Sequence, residues 1–372
     1  MYWDRIGSSN SDPSDPQDCQ SAQTIATASG SSSAGSTPSG SHRAIAPGSV
    51  RYSRVRTEPE YRHGGGGTIE ASPSGDLGSM NPCGSGIGGI LRGMETRRIL
   101  LDDQAVVVTR DGQGLRSEDG RLVAADVAHH LPPVEPTKII CVHLNYESRR
   151  AEFQAALGPA PTYFQKPISA LNAHGGEIIR PSGCRFLNYE GEVAIVVGRT
   201  AKHISPDEAP DFIAGYTIAN DCGLHDFRDT DAGSMLRVKG SDTLCPLGPG
   251  LVDDWDFHHK RIETRVNNRT VQSGSTDEMI WDMHYLVADI ARTITLEPGD
   301  VLLSGTPANS RPVQPGDVVE VEVEGLGVLR NTIVEGEVPL RLDVGAQPSG
   351  SEEVVSTAFG GDWEFRGIRP PR

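Results

Sequence analysis

No apolar run in the 372 residues approaches the ~20 that a membrane-spanning helix needs. The N-terminus also lacks the basic flank and apolar core of a secretory signal, so a membrane is not an expected partner. The six cysteines, Cys19, Cys83, Cys141, Cys184, Cys222 and Cys245, include no CxxC pair. Scattered through a chain this long, they read as free thiols of a reducing compartment, which points to the cytoplasm. Basic excess is missing too: the net charge is −16, and the first 93 residues hold 7 Lys+Arg against 8 Asp+Glu, so the negative charge belongs to the rest. An acidic body argues against nucleic acid and favours small molecules and cations.

Lysine is absent before Lys138, and residues 1–93 show no sustained apolar period. Stretches such as "SGSSSAGSTPSGSH" cannot bury enough surface to offset the entropy of folding, so 1–93 is expected to be a disordered, low-complexity tail. Its seven Arg without Lys also suit a translated leader ahead of a start at Met94. No internal repeat is visible.

The pattern changes from Arg97. "RRILLDDQAVVVTRDGQG" alternates apolar runs with Asp-Gly turns, which predicts a small N-terminal β subdomain over 94–136. A catalytic domain is expected over 137–342 and a loose tail over 343–372. "PTKIICVHLNY", "EGEVAIVVG" and "GYTIAND" read as buried strands, and Glu147 to Pro181 as long loops over a site. "ISPDEAPDF" carries a capping box, Ser205 with Glu208, ahead of a short helix. Ser275 and Glu278 repeat the device before the longest expected helix, with Ile280, Met283, Leu286, Val287 and Ile290 on one face. "LEPGDVLLSGTP" and "VQPGDVVEVEVEG" add strands between Pro-Gly-Asp turns. The sum is a β-rich α+β fold.

Within it, Glu190 and Glu192 stand two residues apart at the head of an apolar strand, so they project from one face. Two ionised carboxylates buried side by side repel, and a hard divalent cation removes that conflict. Asp221, closing "GYTIAND" behind Asn220, is the third candidate. Three carboxylates leave about half of an octahedral Mg²⁺ or Mn²⁺ shell open, which is a catalytic rather than a structural arrangement. Taken alone, an ExE pair on a strand is more often a solvated face.

The surrounding blocks "YFQKPISAL", "NYEGEVAIVVGRTAKHIS", "GYTIAND", "RVKGSDTLCPLGP", "LEPGDVLLSGTP" and "PGDVVEVEVEGLGVLRNTI" resemble, in order and spacing, the fumarylacetoacetate hydrolase family from about Lys138 to Val334. The likeness is nearest to its 2-hydroxyhepta-2,4-diene-1,7-dioate isomerase and 5-oxopent-3-ene-1,2,5-tricarboxylate decarboxylase branch. It implies a mixed β-roll, usually a homodimer, with Glu190, Glu192 and Asp221 as metal ligands. It also implies that Lys239 and Thr306 meet the substrate. Lys166 in "FQKP" either contacts a substrate carboxylate or caps a loop.

Two positions depart from the family. Hydrolytic members carry NYxxH with a Glu three residues after the His; here Asn145, Tyr146 and Glu152 are in place but Arg149 stands where the His belongs. Arginine cannot act as a base at neutral pH. Many members also have Arg four residues after the metal-binding Asp, where this chain has His225, with Arg228 three residues further. The chemistry expected is therefore decarboxylation or isomerisation of unsaturated 2-oxo dicarboxylic acids in aromatic-compound catabolism, through a metal-stabilised enolate. Lys239, His143 and Glu152 would be the catalytic residues. Tyr146, Thr306, His225 and Arg228, with Lys166, would be the substrate contacts. The alternatives are a metal-dependent C–C hydrolase of acylpyruvate or fumarylacetoacetate type that recruits His143 or His174 as its base, and a non-catalytic dicarboxylate-binding module.

Overall fold

A computed structural model of the chain describes residues 93–361. The expected tail over 1–93 therefore lies, but for Gly93, outside the described residues.

The strand Gly191–Val197 has every residue buried, which is why it reads as an unbroken apolar run rather than as an alternation. Its two faces feed different cores. Val193, Ile195 and Val197 join Ile140, Ile218, Leu302 and Met283, whereas Ala194 and Val196 join Ile139, Ala219, Leu247 and Leu303. Helix Met283–Ala291 closes the first core with Met283, Val287 and Ile290.

Gly191–Val197 pairs antiparallel with Ile213–Asn220 on one side and with Val301–Leu303 on the other. Val301–Leu303 in turn runs parallel to Ile139–Val142, which is followed by Tyr163–Lys166 at the sheet edge. On the far side Ile213–Asn220 pairs with Cys245–Val252. A second sheet of five strands contains Arg261–Val266, Val318–Val323 and Gly327–Pro339. Parallel and antiparallel pairs mix in both sheets, and neither closes into a barrel. The fold is β-rich, as the sequence predicts.

Four expectations change in detail. Residues 94–136 do form antiparallel strands, but Glu95–Leu101 hydrogen-bonds to Cys245–Val252 and so extends the main sheet. The Ser275–Glu278 capping box is present, yet it closes a 3₁₀ turn at Thr276–Glu278. The helix starts later, at Met283, where the Asp282 carboxylate accepts from the Tyr285 N–H. The stretch from Glu147 to Pro181 is not all loop, since it contains helix Glu147–Glu152 and strands Tyr163–Lys166 and Glu177–Ser182. The described part of the expected tail, 343–361, is not patternless either. Helix Glu352–Phe359 buries Val354, Val355 and Ala358 against Phe186; its apolar stripe is one turn wide, too short to stand out from a Ser- and Gly-rich surrounding.

Candidate metal centre and its buried cations

Strand parity builds the site. Glu190 and Glu192 have the parity of Ala194 and Val196, and Asp221 that of Ala219, so all three leave the sheet on one face at one end. Register holds them together. Gly191 is paired with Asn220, the Asp221 N–H donates to Glu190 O at 2.8 Å, and the Asn220 side-chain oxygen accepts from the Glu190 N–H at 2.8 Å. A carboxylate oxygen of each residue lies within 4.8 Å of the others.

Positive charge surrounds two of the three. Lys239 Nζ lies 2.6 Å from Glu190 Oε2 and 3.0 Å from Asp221 Oδ2, and it donates to Asp221 O at 2.9 Å. Lys166, fully buried, places Nζ 2.5 Å from Asp221 Oδ1 and 3.2 Å from Cys222 O. Arg149 completes the set, with Nη2 at 3.1 Å from Glu190 Oε1 and Nη1 at 2.7 Å from Glu152 Oε2. Against burial, Lys239 and Arg149 hold the Glu190 carboxyl below the usual range.

Glu192 differs. It accepts from the Gly305 N–H at 2.8 Å, but burial and then the Asp221 and Glu190 charges drive its carboxyl well above the ordinary value. Positive charge is short at this point. The donor set is oxygen only, so the residues fit a hard cation such as Mg²⁺ or Mn²⁺, with Glu190, Glu192 and Asp221 as its holders.

Around this centre, Asn145 ties the Leu144–Tyr146 segment to the opposite loop. Its Nδ2 donates to Trp281 O at 2.9 Å and Ser304 O at 2.8 Å, and its Oδ1 accepts from the Trp281 N–H at 2.9 Å. Gly305 has φ +95°, and a Cβ there would lie 2.9 Å from Asn145 Cβ, so the donor to Glu192 sits where only glycine fits. Thr306 is buried and its Oγ1 accepts from Gln272 Nε2 at 3.1 Å. Tyr146 is buried, its hydroxyl has no hydrogen-bond partner among the described residues, and burial followed by the Glu192 charge pushes it up.

His143 packs its ring 4.6 Å from that of Phe164, and Lys239 Nζ lies 5.7 Å from the same ring. Burial, then the Lys239 and Arg228 charges, takes its imidazole down to about 4. His225 is 2% exposed, neither ring nitrogen has a partner among the described residues, and burial with Lys239 and Arg149 pulls it well below the ordinary value. Among the described residues, Arg228 donates to Met235 Sδ and to no carboxylate.

Three of the assigned residues have partners that the sequence did not indicate. Lys166 is an internal counter-charge to Asp221 and also donates to Cys222 O. His174 accepts from the Arg330 N–H at 3.1 Å and lies edge-on to His130, so it is not packed on the carboxylates. Glu152 lies between Arg149 and Arg311, whose Nη2 is 2.6 Å from its Oε1. Sequence reasoning missed Arg311 and the role of Arg149. The signal for Arg149 was its replacement of a histidine; for Arg311, in "SGTPANSR", there was none.

The profile of the family described as Fumarylacetoacetate (FAA) hydrolase C-terminal matches residues 138–334. The mitochondrial oxaloacetate tautomerase of Rattus norvegicus is 34% identical over 268 residues, 67% of this chain and 86% of the relative. The 4-hydroxyphenylacetate degradation bifunctional isomerase/decarboxylase of Salmonella dublin is 34% identical over 199 residues, 53% of this chain and 46% of the relative. Among solved structures, 5-carboxymethyl-2-hydroxymuconate delta-isomerase from Mycobacterium smegmatis matches with a TM-score of 0.61 at 34% identity, over 66% of this chain and 100% of that one.

Proposed function

The chain is an enzyme of the fumarylacetoacetate hydrolase family, and from that premise we propose that it is a divalent-cation-dependent isomerase or decarboxylase of unsaturated 2-oxo dicarboxylic acids formed in aromatic-compound breakdown. The observation that carries this reading is the pair of bonds from Arg149 to Glu152 and Glu190. Where hydrolytic members are expected to hold a water-activating histidine, this chain has a guanidinium that occupies the Glu152 carboxylate. Hydrolysis needs an activated water. Isomerisation and decarboxylation need charge stabilisation on the 2-oxo oxygen instead.

A bound Mg²⁺ or Mn²⁺ supplies Lewis-acid polarisation of that oxygen. Glu190, Glu192 and Asp221 are its holders in this reading. Lys239 adds a fixed positive charge beside them, and Lys166 keeps Asp221 oriented. His143, uncharged at neutral pH because of burial beside Lys239, takes a proton from the substrate carbon and returns it further along the conjugated chain. Tyr146, Thr306 and His225 contact the substrate, with Arg228 at the outer end. The names of the rat and Mycobacterium smegmatis proteins, a tautomerase and an isomerase, support proton transfer of this kind. Two copies are expected to associate, as family likeness implies, and light scattering measures it.

The test incubates the enzyme with 2-oxo and 2-hydroxydienoic diacids plus Mg²⁺ or Mn²⁺, against EDTA controls, with mass analysis of products. An isomer or CO₂ is expected. Acylpyruvate cleavage faster than every isomerisation and decarboxylation overturns the reading.

A further inference from the structure

Beyond residue 334 the family match ends, yet the chain comes back to the site. Helix Glu352–Phe359 is anchored at three places. Ser351 Oγ bonds Asp229 Oδ1 at 2.8 Å, Asn188 Nδ2 donates to Ala358 O at 2.8 Å, and the Phe359 ring lies edge-on to Phe186. The helix ends at Gly360, with φ 89° and ψ 156°, a conformation that essentially only glycine adopts. That glycine lies directly on Glu152: a Cβ built on it would stand 2.7 Å from Glu152 Oε1 and 3.3 Å from Arg311 Nη2. At Gly361 a Cβ would stand 3.0 Å from Glu152 O.

Glu152 is in turn the partner of Arg149, and Arg149 of Glu190. A packed, charge-paired line therefore runs from the C-terminal helix to a carboxylate of the metal centre. We propose that the C-terminal segment 351–361 is a positioning element of the active site: Gly360, packed against Glu152, sets the Arg149 guanidinium on Glu190 and thereby fixes that carboxylate. The segment touches no reacting atom and acts through Glu152. Side chains in one ion-paired line move together, because Arg149 cannot keep both bonds if Glu152 shifts by an ångström, and misplacement of about 1 Å near a reacting centre costs about a hundredfold.

The experiment uses the full-length chain. Gly360→Ala puts a methyl group against Glu152. Gly345→Ala, at φ +72° with nothing within 4 Å of the added Cβ, controls for a methyl at a left-handed glycine. Phe359→Ala loosens the helix away from the site, and Phe359→Leu restores an apolar anchor. Two readouts are taken: hydrogen exchange of the 149–153 amides, which needs no substrate, and kcat and KM.

Gly360→Ala and Phe359→Ala should speed exchange at 149–153 and lower kcat about tenfold, with KM within about threefold of the wild type. Gly345→Ala and Phe359→Leu should change neither. Unchanged exchange at 149–153 in both loosened variants overturns the proposal. The kcat arm rests on the proposed isomerase or decarboxylase reading. A wild type without turnover sinks that reading and leaves the exchange arm to decide this one.

Discussion

Lys166 Nζ and Asp221 Oδ1 stand 2.5 Å apart with no solvent on the lysine. An ammonium is desolvated at this depth only beside an opposite charge, and the Asp221 charge raises the Lys166 pKa in spite of burial. Lys239 is placed similarly, and Asp221 and Glu190 raise it as well. Two fixed cations thus face three carboxylates, with Arg149 shared between Glu190 and Glu152.

Lys166→Met tests that balance. The substitution keeps the stem and removes the charge, so Asp221 loses its nearest partner and keeps Lys239 at 3.0 Å. Breaking one partner of a buried pair costs about 3 kcal/mol. The melting temperature should fall clearly in EDTA and recover in saturating Mg²⁺, because a cation that binds only the folded state stabilises it by mass action. An equal fall with and without Mg²⁺ would show that no cation reaches Asp221.

Glu192→Gln should abolish most divalent-cation affinity, since it removes a charged ligand while keeping the shape. In the cation-free protein it should be tolerated or mildly stabilising, because the native carboxyl is raised by Asp221 and Glu190 and an amide carries no charge for them to repel. Mn²⁺ titration by calorimetry and denaturation in EDTA measure the two halves. Unchanged Mn²⁺ affinity contradicts the assignment of Glu192 as a ligand.

How much of this was legible in the sequence follows from sequence distance. The shared face of Glu190 and Glu192 is a consequence of strand periodicity, and Asp221 stood out as the carboxylate that closes an apolar strand behind Asn220. Both are local. The Arg149 bond to Glu190 joins residues 41 apart, and the Lys166 bond to Asp221 joins residues 55 apart. No periodicity encodes such pairs, so Lys166 looked equally like a substrate contact and a loop cap. The C-terminal helix was missed for a related reason: Val354, Val355 and Ala358 become a core only when Phe186 stands opposite. The capping box at Ser275 was read correctly, but the chain uses it for one 3₁₀ turn and caps the helix again with Asp282.

Stability should depend on pH through buried histidines. His143 and His174 are both brought down to about 4 in the folded protein, chiefly by burial. His143 faces Lys239, Arg228, Asp221 and Glu190; His174 faces His130, Arg97 and Arg330. Their ordinary value is 6.5, so between about 6.5 and 4 the unfolded chain binds protons that the folded one does not. The contribution of these two rings is then constant above about pH 7.5 and falls as pH drops through that window, while Glu192, raised in the folded protein, acts in the opposite sense. Urea denaturation at pH 7.5, 6 and 5 should show uptake of about two protons or more on unfolding near pH 5. His174→Gln should remove about one of them. A flat profile from pH 7.5 to 5 would mean that neither ring is buried uncharged.

The last prediction separates the chemistries at Arg149. In the wild type the guanidinium bonds Glu152 and Glu190 together and packs over the Phe153 ring at 4.6 Å, so no base stands beside Glu152. Acylpyruvates should therefore be nearly inert, while a 2-oxo-ene dicarboxylate is isomerised or decarboxylated; slow hydrolysis from a cation-bound water is tolerable. Arg149→His restores the residue types of the hydrolytic dyad next to Glu152. An imidazole is shorter than the guanidinium arm and cannot span both carboxylates, so Glu190 loses one counter-charge and Lys239 at 2.6 Å must hold it alone. Hydrolysis should rise measurably but stay modest, since a positioning error of ~1 Å costs about a hundredfold. Isomerase activity should fall in the same variant, because the Glu190 carboxylate is less fixed. Product analysis on both substrate classes, at one cation concentration, reads the two changes side by side. Wild-type acylpyruvate cleavage faster than any isomerisation or decarboxylation would make this protein a hydrolase whose base is not at position 149.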